Sequence, residues 1–398
     1  MTGTGGAIDV AVVRAATPGC ERSTFLLSAG SSLPTTATLE ATIGHLRREA
    51  EVGGYAAADE VAPLLEQGRS DLATLVGGRA DEVAMVPSDT VAFVKAWWGW
   101  VVGGNVPRGS VVLVDRLSYH SHYAALLQTQ AIAGFEIEVL PSLPDGTVDL
   151  AAAVIGERVS VVCATMIGTH SGNVNPIEQL GRATATAGVP LFVDACQALG
   201  QLRLDVRELG CQVLTATGRK FLRAPRGTGL LWVDGALVDR FQPPGVDGTS
   251  TEWGIDGMTT RPGIGRFVEY EVSYAALVGM AAAAGQAVAL GMPTVEARVT
   301  ALAERLRTSL AAIDGVTVHD TAARRCGIVT FSIAGTSAAD VVAAAERAAI
   351  RVNESTATWA ALDMAAKGLA RIVRASPHYF NTEEELDRLV DVVAGLGR

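Results

Sequence analysis

Cysteine is scarce and poorly placed for cross-linking: Cys20, Cys163, Cys196, Cys211 and Cys326 are odd in number and show no CxxC spacing. That excludes a disulfide framework and a cysteine-ligated zinc site. An excess of basic residues is missing too. Lys and Arg total 32 against 42 Asp and Glu, a formal charge of −10, so the electrostatic footprint of a nucleic-acid binder is absent. No apolar run reaches membrane-spanning length, since the most apolar stretch, Ala275 to Leu290, is interrupted by Gly279, Gly285 and Gln286. Met1 to Asp9 holds no basic start followed by an apolar core, so no secretory leader is expected and the cytoplasm is the expected location. Aromatic residues make up only 5% of a chain that is 49% hydrophobic, which leaves Ala and Val to carry the core. There is no internal repeat and no low-complexity tract.

What is present is alternation. From residue 70 to 235 short apolar runs alternate with helical spacing. The expected strands are Val83–Val86, Ser110–Val114, Glu136–Leu140, Val159–Ala164, Pro190–Val193, Val213–Ala216 and Gly229–Val233, with helices such as Asp89–Val101 and His122–Ala133 between them. Such alternation predicts an α/β fold with a mostly parallel seven-stranded sheet and helices on both faces. Residues 242–265 read as a long irregular segment, which in an enzyme is functional or pinned at an interface. Helices over Ser273–Leu290 and Pro293–Ile313 follow, then strands near Ile328–Ile333 and Ala349–Asn353 and a closing helix at Thr382–Leu396. This predicts a large domain over 25–270 and a smaller α+β domain from 271–398 together with 1–24.

Open α/β sheets bind ligands beyond the carboxyl ends of their strands, and four strand ends carry chemistry. Val83-Ala-Met-Val-Pro-Ser-Asp-Thr90 runs from a strand into a helix, where Ser88, Asp89 and Thr90 form either an ordinary N-cap or a phosphate site. Asp194, in Leu191-Phe-Val-Asp-Ala-Cys-Gln197, ends an apolar strand and needs a positive or proton-donating partner. Lys220, in Thr215-Ala-Thr-Gly-Arg-Lys-Phe-Leu-Arg-Ala-Pro-Arg-Gly-Thr-Gly229, follows a strand and can bind an aldehyde cofactor covalently once its proton is lost. Thr217 and Arg219 stand beside it, suited to a phosphate; a solvated basic loop is the alternative. Arg374, in Arg371-Ile-Val-Arg-Ala-Ser-Pro-His378, ends a further apolar run where it can grip a carboxylate bidentately. No GxGxxG follows the first strand, so a nucleotide-binding or noncatalytic doubly wound protein lacks its signature.

Together, and in this order along the chain, these motifs resemble the class V aminotransferase group of pyridoxal-phosphate enzymes, which includes cysteine desulfurases, selenocysteine lyases and isopenicillin N epimerase. The likeness runs from Phe25-Leu-Leu-Ser-Ala-Gly30 to Arg374. It implies the fold-type I architecture, pyridoxal 5′-phosphate as cofactor, an amino-acid substrate and a homodimer. It assigns Lys220 to the cofactor aldehyde, Asp194 to the pyridine nitrogen, Gln197 to the phenolic oxygen and Tyr119 to ring stacking, with His120 and His122 close enough for that last assignment to shift. Ser88, Asp89, Thr90, Thr217 and Arg219 would hold the phosphate, and Arg374 and Ala29 the substrate. Two features depart from the desulfurases. The reactive cysteine they carry ahead of the matching arginine is missing, for Val352 to Ile372 contains no cysteine. The Gly-Thr element expected after Arg266-Phe267 is replaced by Val268-Glu-Tyr-Glu271.

Arg47-Arg-Glu-Ala-Glu-Val-Gly-Gly-Tyr-Ala-Ala-Ala58, with Gly218-Arg-Lys220 and Ala224-Pro-Arg-Gly227, looks like the actinobacterial C–S lyases of ergothioneine biosynthesis and related lincosamide-pathway enzymes. That likeness brings Tyr55 to the substrate pocket, a plain helix–turn junction being the alternative. It implies β-elimination from an S-substituted cysteine or its sulfoxide. Decarboxylation coupled to oxidative deamination, epimerisation and transamination use the same residues.

Overall fold

The computed structural model describes residues 7–396. The Met1–Gly6 part of the stretch read for a leader, and of the 1–24 segment, lies outside them. The chain enters through α1 (Val10–Ala15) and a two-residue strand β1 (Thr24–Phe25), then two helices, α2 (Thr36–Val52) and α3 (Gly54–Val76). Seven strands follow: β2 (Val83–Val86), β3 (Val111–Val114), β4 (Glu136–Val139), β5 (Val159–Thr165), β6 (Leu191–Asp194), β7 (Val213–Thr217) and β8 (Gly229–Val233). They form one sheet in the order β2-β8-β7-β6-β5-β3-β4. Only β8 runs against the others, antiparallel to both β2 and β7.

Each of the seven expected strands is present, and the reason is visible in the packing. In β3, Val111 and Leu113 enter one core while Val112 and Val114 enter the other. A sheet covered on both faces needs apolar residues at every position, so its strands read as continuous runs. Leu72 and Val76 of α3, and Ile177 and Leu180 of α6 (Ile177–Ala187), cover the first face. Phe93, Trp97 and Trp100 of α4 (Asp89–Val102), with Ala125 and Leu126 of α5 (His120–Ala133), cover the second. α4 starts where Ser88 Oγ accepts the Val91 N–H at 3.2 Å. A short α7 (Val206–Leu209), capped by Asp205, leads into β7.

The segment 242–265 departs from the expectation of an irregular stretch. It contains an antiparallel hairpin, β9 (Thr251–Gly254) with β10 (Gly257–Thr260), turning at Ile255-Asp256 and ending in Gly257 at φ +133°. Asp-Gly between two short runs is a hairpin signal. Trp253, Ile255 and Met258 on this hairpin are exposed.

Past the hairpin, α8 (Tyr274–Leu290) and α9 (Met292–Ala311) meet at a bend of 85°. Among the described residues no single helix is long and apolar enough to cross a membrane. α8 adds Met280, Ala283 and Ala284 to the first core of the large sheet. An antiparallel sheet follows in the order β11-β12-β15-β14, from β11 (Val316–Val318), β12 (Val329–Ile333), β14 (Asn353–Thr356) and β15 (Arg371–Ala375). α9, α10 (Ala338–Arg347) and α12 (Glu383–Leu396) cover it, with Leu306, Phe331, Val341 and Leu389 in its core. The single strand expected at Ala349–Asn353 is two: β13 (Ile350–Arg351) leaves this sheet and pairs in parallel with β1. α11 (Ala361–Ala366) stands between β14 and β15.

α3 and α8 touch where Gly68 faces Ala281, and a Cβ at Gly68 would fall inside the surface of the Ala281 methyl. Helix propensity alone favours Ala over Gly by about 1 kcal/mol. The contact reverses the sign: Gly68→Ala is expected to destabilise by about 1–3 kcal/mol through overpacking. A denaturant midpoint that rises instead would show that the two helices do not pack this closely.

Candidate active site

Asp194 and Lys220 come from different strand ends and are brought together by strand register. β5, β6 and β7 lie side by side, pairing Thr165 with Asp194 and Asp194 with Thr215. Lys220 follows β7 by three residues and is buried at 8% exposure. Among the described residues no carboxylate lies within salt-bridge distance of its ammonium; its recorded neighbour is the Tyr119 ring, 5.9 Å from Nζ to centroid. The turn that carries Lys220 is held by Arg223, which adopts φ +66°. Its guanidinium donates to Leu33 O (2.8 Å), Tyr379 Oη (2.6 Å) and Thr17 Oγ1 (2.6 Å). A non-glycine residue in the left-handed region persists only when its surroundings over-determine it, and these three anchors do so.

Behind Asp194 lies a buried charge cluster. His122 Nε2 is 2.7 Å from Asp89 Oδ2, and its Nδ1 is 3.7 Å from Asp194 Oδ2. Phe93 stacks on the imidazole at 3.9 Å between centroids. Burial opposes ionisation of Asp89, but the charge and hydrogen bond of His122 outweigh it and hold that carboxyl down at about 2. Asp194 moves the other way, raised by burial and by the negative charge of Asp89. Burial alone would lower the His122 pKa, yet the charges of Asp89 and Asp194 raise it above its ordinary value. The imidazolium is therefore the cation that lets two carboxylates share a dry site. Asp89, expected with the phosphate group, points its side chain into this cluster. The backbone N–H groups at the start of α4 and the Thr90 hydroxyl remain for an anion.

The other expected residues gather around these. Thr90 Oγ1 is 3.1 Å from Ser121 Oγ, and Thr217 is buried with its hydroxyl 3.4 Å from Thr228 O. Gln197 donates to Ala29 O at 3.1 Å, and Ala29 N–H donates to Ser376 Oγ at 3.0 Å. Arg374 is 5% exposed; it donates to Thr169 O (2.5 Å) and reaches Asn353 Oδ1 (3.3 Å). No carboxylate pairs with it among the described residues. Burial, with the nearby charge of Arg219, brings its pKa down to about 10. Expected at the phosphate, Arg219 instead donates to the Gly30 carbonyl, which sets a second cation beside Arg374.

Tyr55 is not with them in this chain. It is 80% exposed on α3 and lines a separate cleft with Glu49, Asp59, Tyr270 and Tyr274. Three residues join the site in roles the sequence did not assign them. Arg223 fixes the lysine turn, His122 serves Asp194, and Trp359 stacks on Tyr119 with ring centroids 6.1 Å apart and planes 11° from parallel.

Buried polar atoms test whether these residues fit pyridoxal phosphate. Asp89 Oδ1, Gln197 Oε1 and Thr215 Oγ1 have no hydrogen-bond partner among the described residues. Such atoms are costly unless a group of matching polarity meets them. A ring nitrogen cation suits the Asp194 carboxylate, a phenolic O–H could donate to the unpaired Gln197 Oε1, and a phosphate suits the N–H groups at the start of α4. A lysine at one strand end beside an aspartate at another, with an unpaired buried arginine, defines an amino-acid enzyme built around an aldehyde cofactor.

The family model of aminotransferase class-V matches residues 24–389, and the chain belongs to that family. It is 31% identical to a protein of Mycobacterium tuberculosis described as a probable hercynylcysteine sulfoxide lyase, over 377 residues covering 92% of this chain and 88% of that one. The apo structure of a cysteine desulfurase from Thermococcus onnurineus NA1 superposes with a TM-score of 0.91 at 21% identity, covering 100% of this chain and 99% of that one. A lysine-to-alanine mutant of the lyase C-DES, solved with glycine covalently linked to its pyridoxal-phosphate cofactor, superposes with a TM-score of 0.86 at 22% identity, covering 96% and 98%. The fold is that of the fold-type I pyridoxal-phosphate enzymes.

Removing His122 leaves Asp89 as an uncompensated buried carboxylate, so His122→Ala is expected to cost about 3–5 kcal/mol at about pH 7. In that variant burial loses its main opponent and raises the Asp89 carboxyl. A carboxyl raised in the folded state destabilises most at high pH, so the deficit shrinks as pH falls and the group takes up a proton. Denaturant titrations of native protein and variant at about pH 7 and about pH 5 check this; a deficit unchanged between them would mean that the lost packing against Phe93, not charge, sets the cost.

Proposed function

We propose that this chain is a pyridoxal-phosphate-dependent carbon–sulfur lyase acting by β-elimination on an S-substituted cysteine or its sulfoxide. One observation carries the choice between lyase and desulfurase. All five cysteines are buried, and burial raises every thiol, that of Cys326 to about 12. A desulfurase needs an accessible thiolate to take sulfur from its substrate. Trp359 and its neighbours occupy the stretch in which the resemblance leads one to look for it. Sulfur must then leave bonded to its own substituent, which is elimination.

Lys220 would bind the cofactor aldehyde, Asp194 its ring nitrogen, Gln197 its phenolic oxygen, and Thr90 and Thr217 with the start of α4 its phosphate. When bound, pyridoxal phosphate supplies an electron sink for the carbanion formed at the substrate Cα. Arg374 grips the substrate carboxylate. Lys220, released by the substrate amine, removes the Cα proton. The C–S bond breaks with its electron pair on sulfur, and water converts the three-carbon remainder to pyruvate and ammonia. The relative described as a hercynylcysteine sulfoxide lyase supports a sulfoxide conjugate as substrate. The reading includes a homodimer, to which the exposed apolar hairpin side chains Trp253, Ile255 and Met258 are suited.

The cofactor-loaded protein is to be incubated in heavy water with hercynylcysteine sulfoxide and simpler cysteine S-conjugates. One pyruvate per conjugate consumed is expected. Deuterium at Cα of recovered substrate without pyruvate would replace the lyase by an epimerase or aminotransferase. Lys220→Ala is expected to lose both the yellow colour of the bound cofactor and turnover. Arg374→Ala is expected to raise KM about tenfold to a hundredfold, as loss of a charged hydrogen-bond partner does, with a smaller change in kcat. An unchanged KM would remove Arg374 from carboxylate binding.

A further inference from the structure

Beside the Tyr119 ring that neighbours Lys220 stands a further aromatic residue, from the C-terminal part of the chain. Trp359 ends a turn, Ala357–Trp359, and is 48% exposed. One face lies nearly parallel to Tyr119, and the His120 ring meets its edge at 6.0 Å and 67°. Tyr119 in turn faces the Lys220 ammonium. Tyr119 thus has both the Lys220 ammonium and the Trp359 ring as neighbours and links the lysine to the tryptophan.

A half-exposed indole on a loose loop would carry little meaning, but this one is fastened. Four residues on, Asp363 is fully buried and meets three side chains: Arg116 Nε at 2.8 Å, His170 Nε2 at 2.6 Å and Lys367 Nζ at 2.8 Å. Lys367 also donates to Asp145 O at 2.8 Å. Ala360, Met364 and Ile372 close a small core beneath the turn. Arg116 follows β3 and His170 follows β5, so the turn that presents Trp359 is tied to the large sheet at two strand ends. His170 is the neighbour of Thr169, whose carbonyl orients Arg374. One short loop thus sets both the group that grips the substrate carboxylate and the anchor of the indole.

The structure assigns Trp359 as the residue that selects the sulfur substituent, offering its free face to a flat aryl or heteroaryl group carried on the substrate sulfur. The geometry favours this occupant over an alkyl chain. Two near-parallel rings already define a plane, and a third flat ring continues the stack. A ring of positive character is favoured further by the π face. The inference rests on the lyase reading only for which bond breaks; what it adds is the class of leaving group.

The test uses the cofactor-loaded protein with S-phenyl-L-cysteine and S-methyl-L-cysteine, and Trp359→Ala beside Trp359→Phe. The expected result is a fall of about tenfold in kcat/KM for S-phenyl-L-cysteine in Trp359→Ala, the scale of one stacking contact. Trp359→Phe is expected to restore it to within about threefold, and S-methyl-L-cysteine to change by less than about threefold in either variant. A second readout needs no turnover. 3-(Phenylthio)propanoate has the carboxylate and the aryl sulfide but no amine, and it is expected to quench tryptophan fluorescence of the native protein and not of Trp359→Ala. Equal losses on both substrates, or quenching that survives the substitution, would overturn the assignment. If neither substrate yields pyruvate with the native protein, the lyase reading fails, and the fluorescence arm still decides the role of Trp359.

Discussion

Two carboxylates and one imidazolium share a buried pocket, and the rest of the site is arranged around that fact. Each buried ion would cost several kcal/mol alone. Asp89 is held ionised by His122, His122 is kept charged by Asp89 and Asp194, and Asp194 is left with a raised affinity for a proton. On the proposed reading, a ring nitrogen that must stay protonated would meet a carboxylate already prepared for a positive partner. Phe93 closes one face of the imidazole and, as part of α4, belongs to the same apolar stripe that holds the helix on the sheet. The charge cluster and the second core are thus two faces of one helix start.

The large sheet supplies rigidity and the C-terminal region supplies discrimination. Asp194, Thr217 and Lys220 stand on or just after central strands, whose positions are set by ladders on both sides. Arg374 and Trp359 come from the small antiparallel sheet and the turn beside it. They reach the site through a loop after β5, where Thr169 holds one and His170 anchors the other through Asp363. Groups that do chemistry on every substrate are placed by the stiffest part of the molecule. Groups that recognise a particular substrate are placed by contacts between its parts.

The sequence made the seven strands legible because burial on both faces leaves an unbroken apolar signature. It also marked Lys220, Asp194 and Arg374 as candidates, since a charged residue closing an apolar run stands out wherever it occurs. Side-chain direction was not legible. Ser88, Asp89 and Thr90 read as one anion-binding group, yet the Asp89 carboxylate turns inward to His122 while the Thr90 hydroxyl meets Ser121. His122 is one of three candidates within four residues, and nothing in their spacing says which faces the core. The positive φ of Arg223 and the meeting of Trp359 with Tyr119 depend on contacts spanning many residues and have no local trace. The hairpin at 251–260 did have one, the Asp256-Gly257 pair, submerged in a stretch otherwise rich in Gly, Pro and Thr.

The short parallel pairing of Thr24–Phe25 with Ile350–Arg351, and the bridge from Leu27 to Ser376, sew the beginning of the chain to its end. Ala29, whose carbonyl receives Gln197, is held by Ser376. During synthesis the strands bearing Asp194 and Lys220 leave the ribosome well before these closing partners, and chains fold as they emerge. The wall formed by Ala29 and Gly30 must wait for the C-terminal segment. A nascent or prematurely ended chain therefore carries the aldehyde-reactive lysine without the pocket that governs it. The order of translation itself delays a competent site until synthesis is nearly complete.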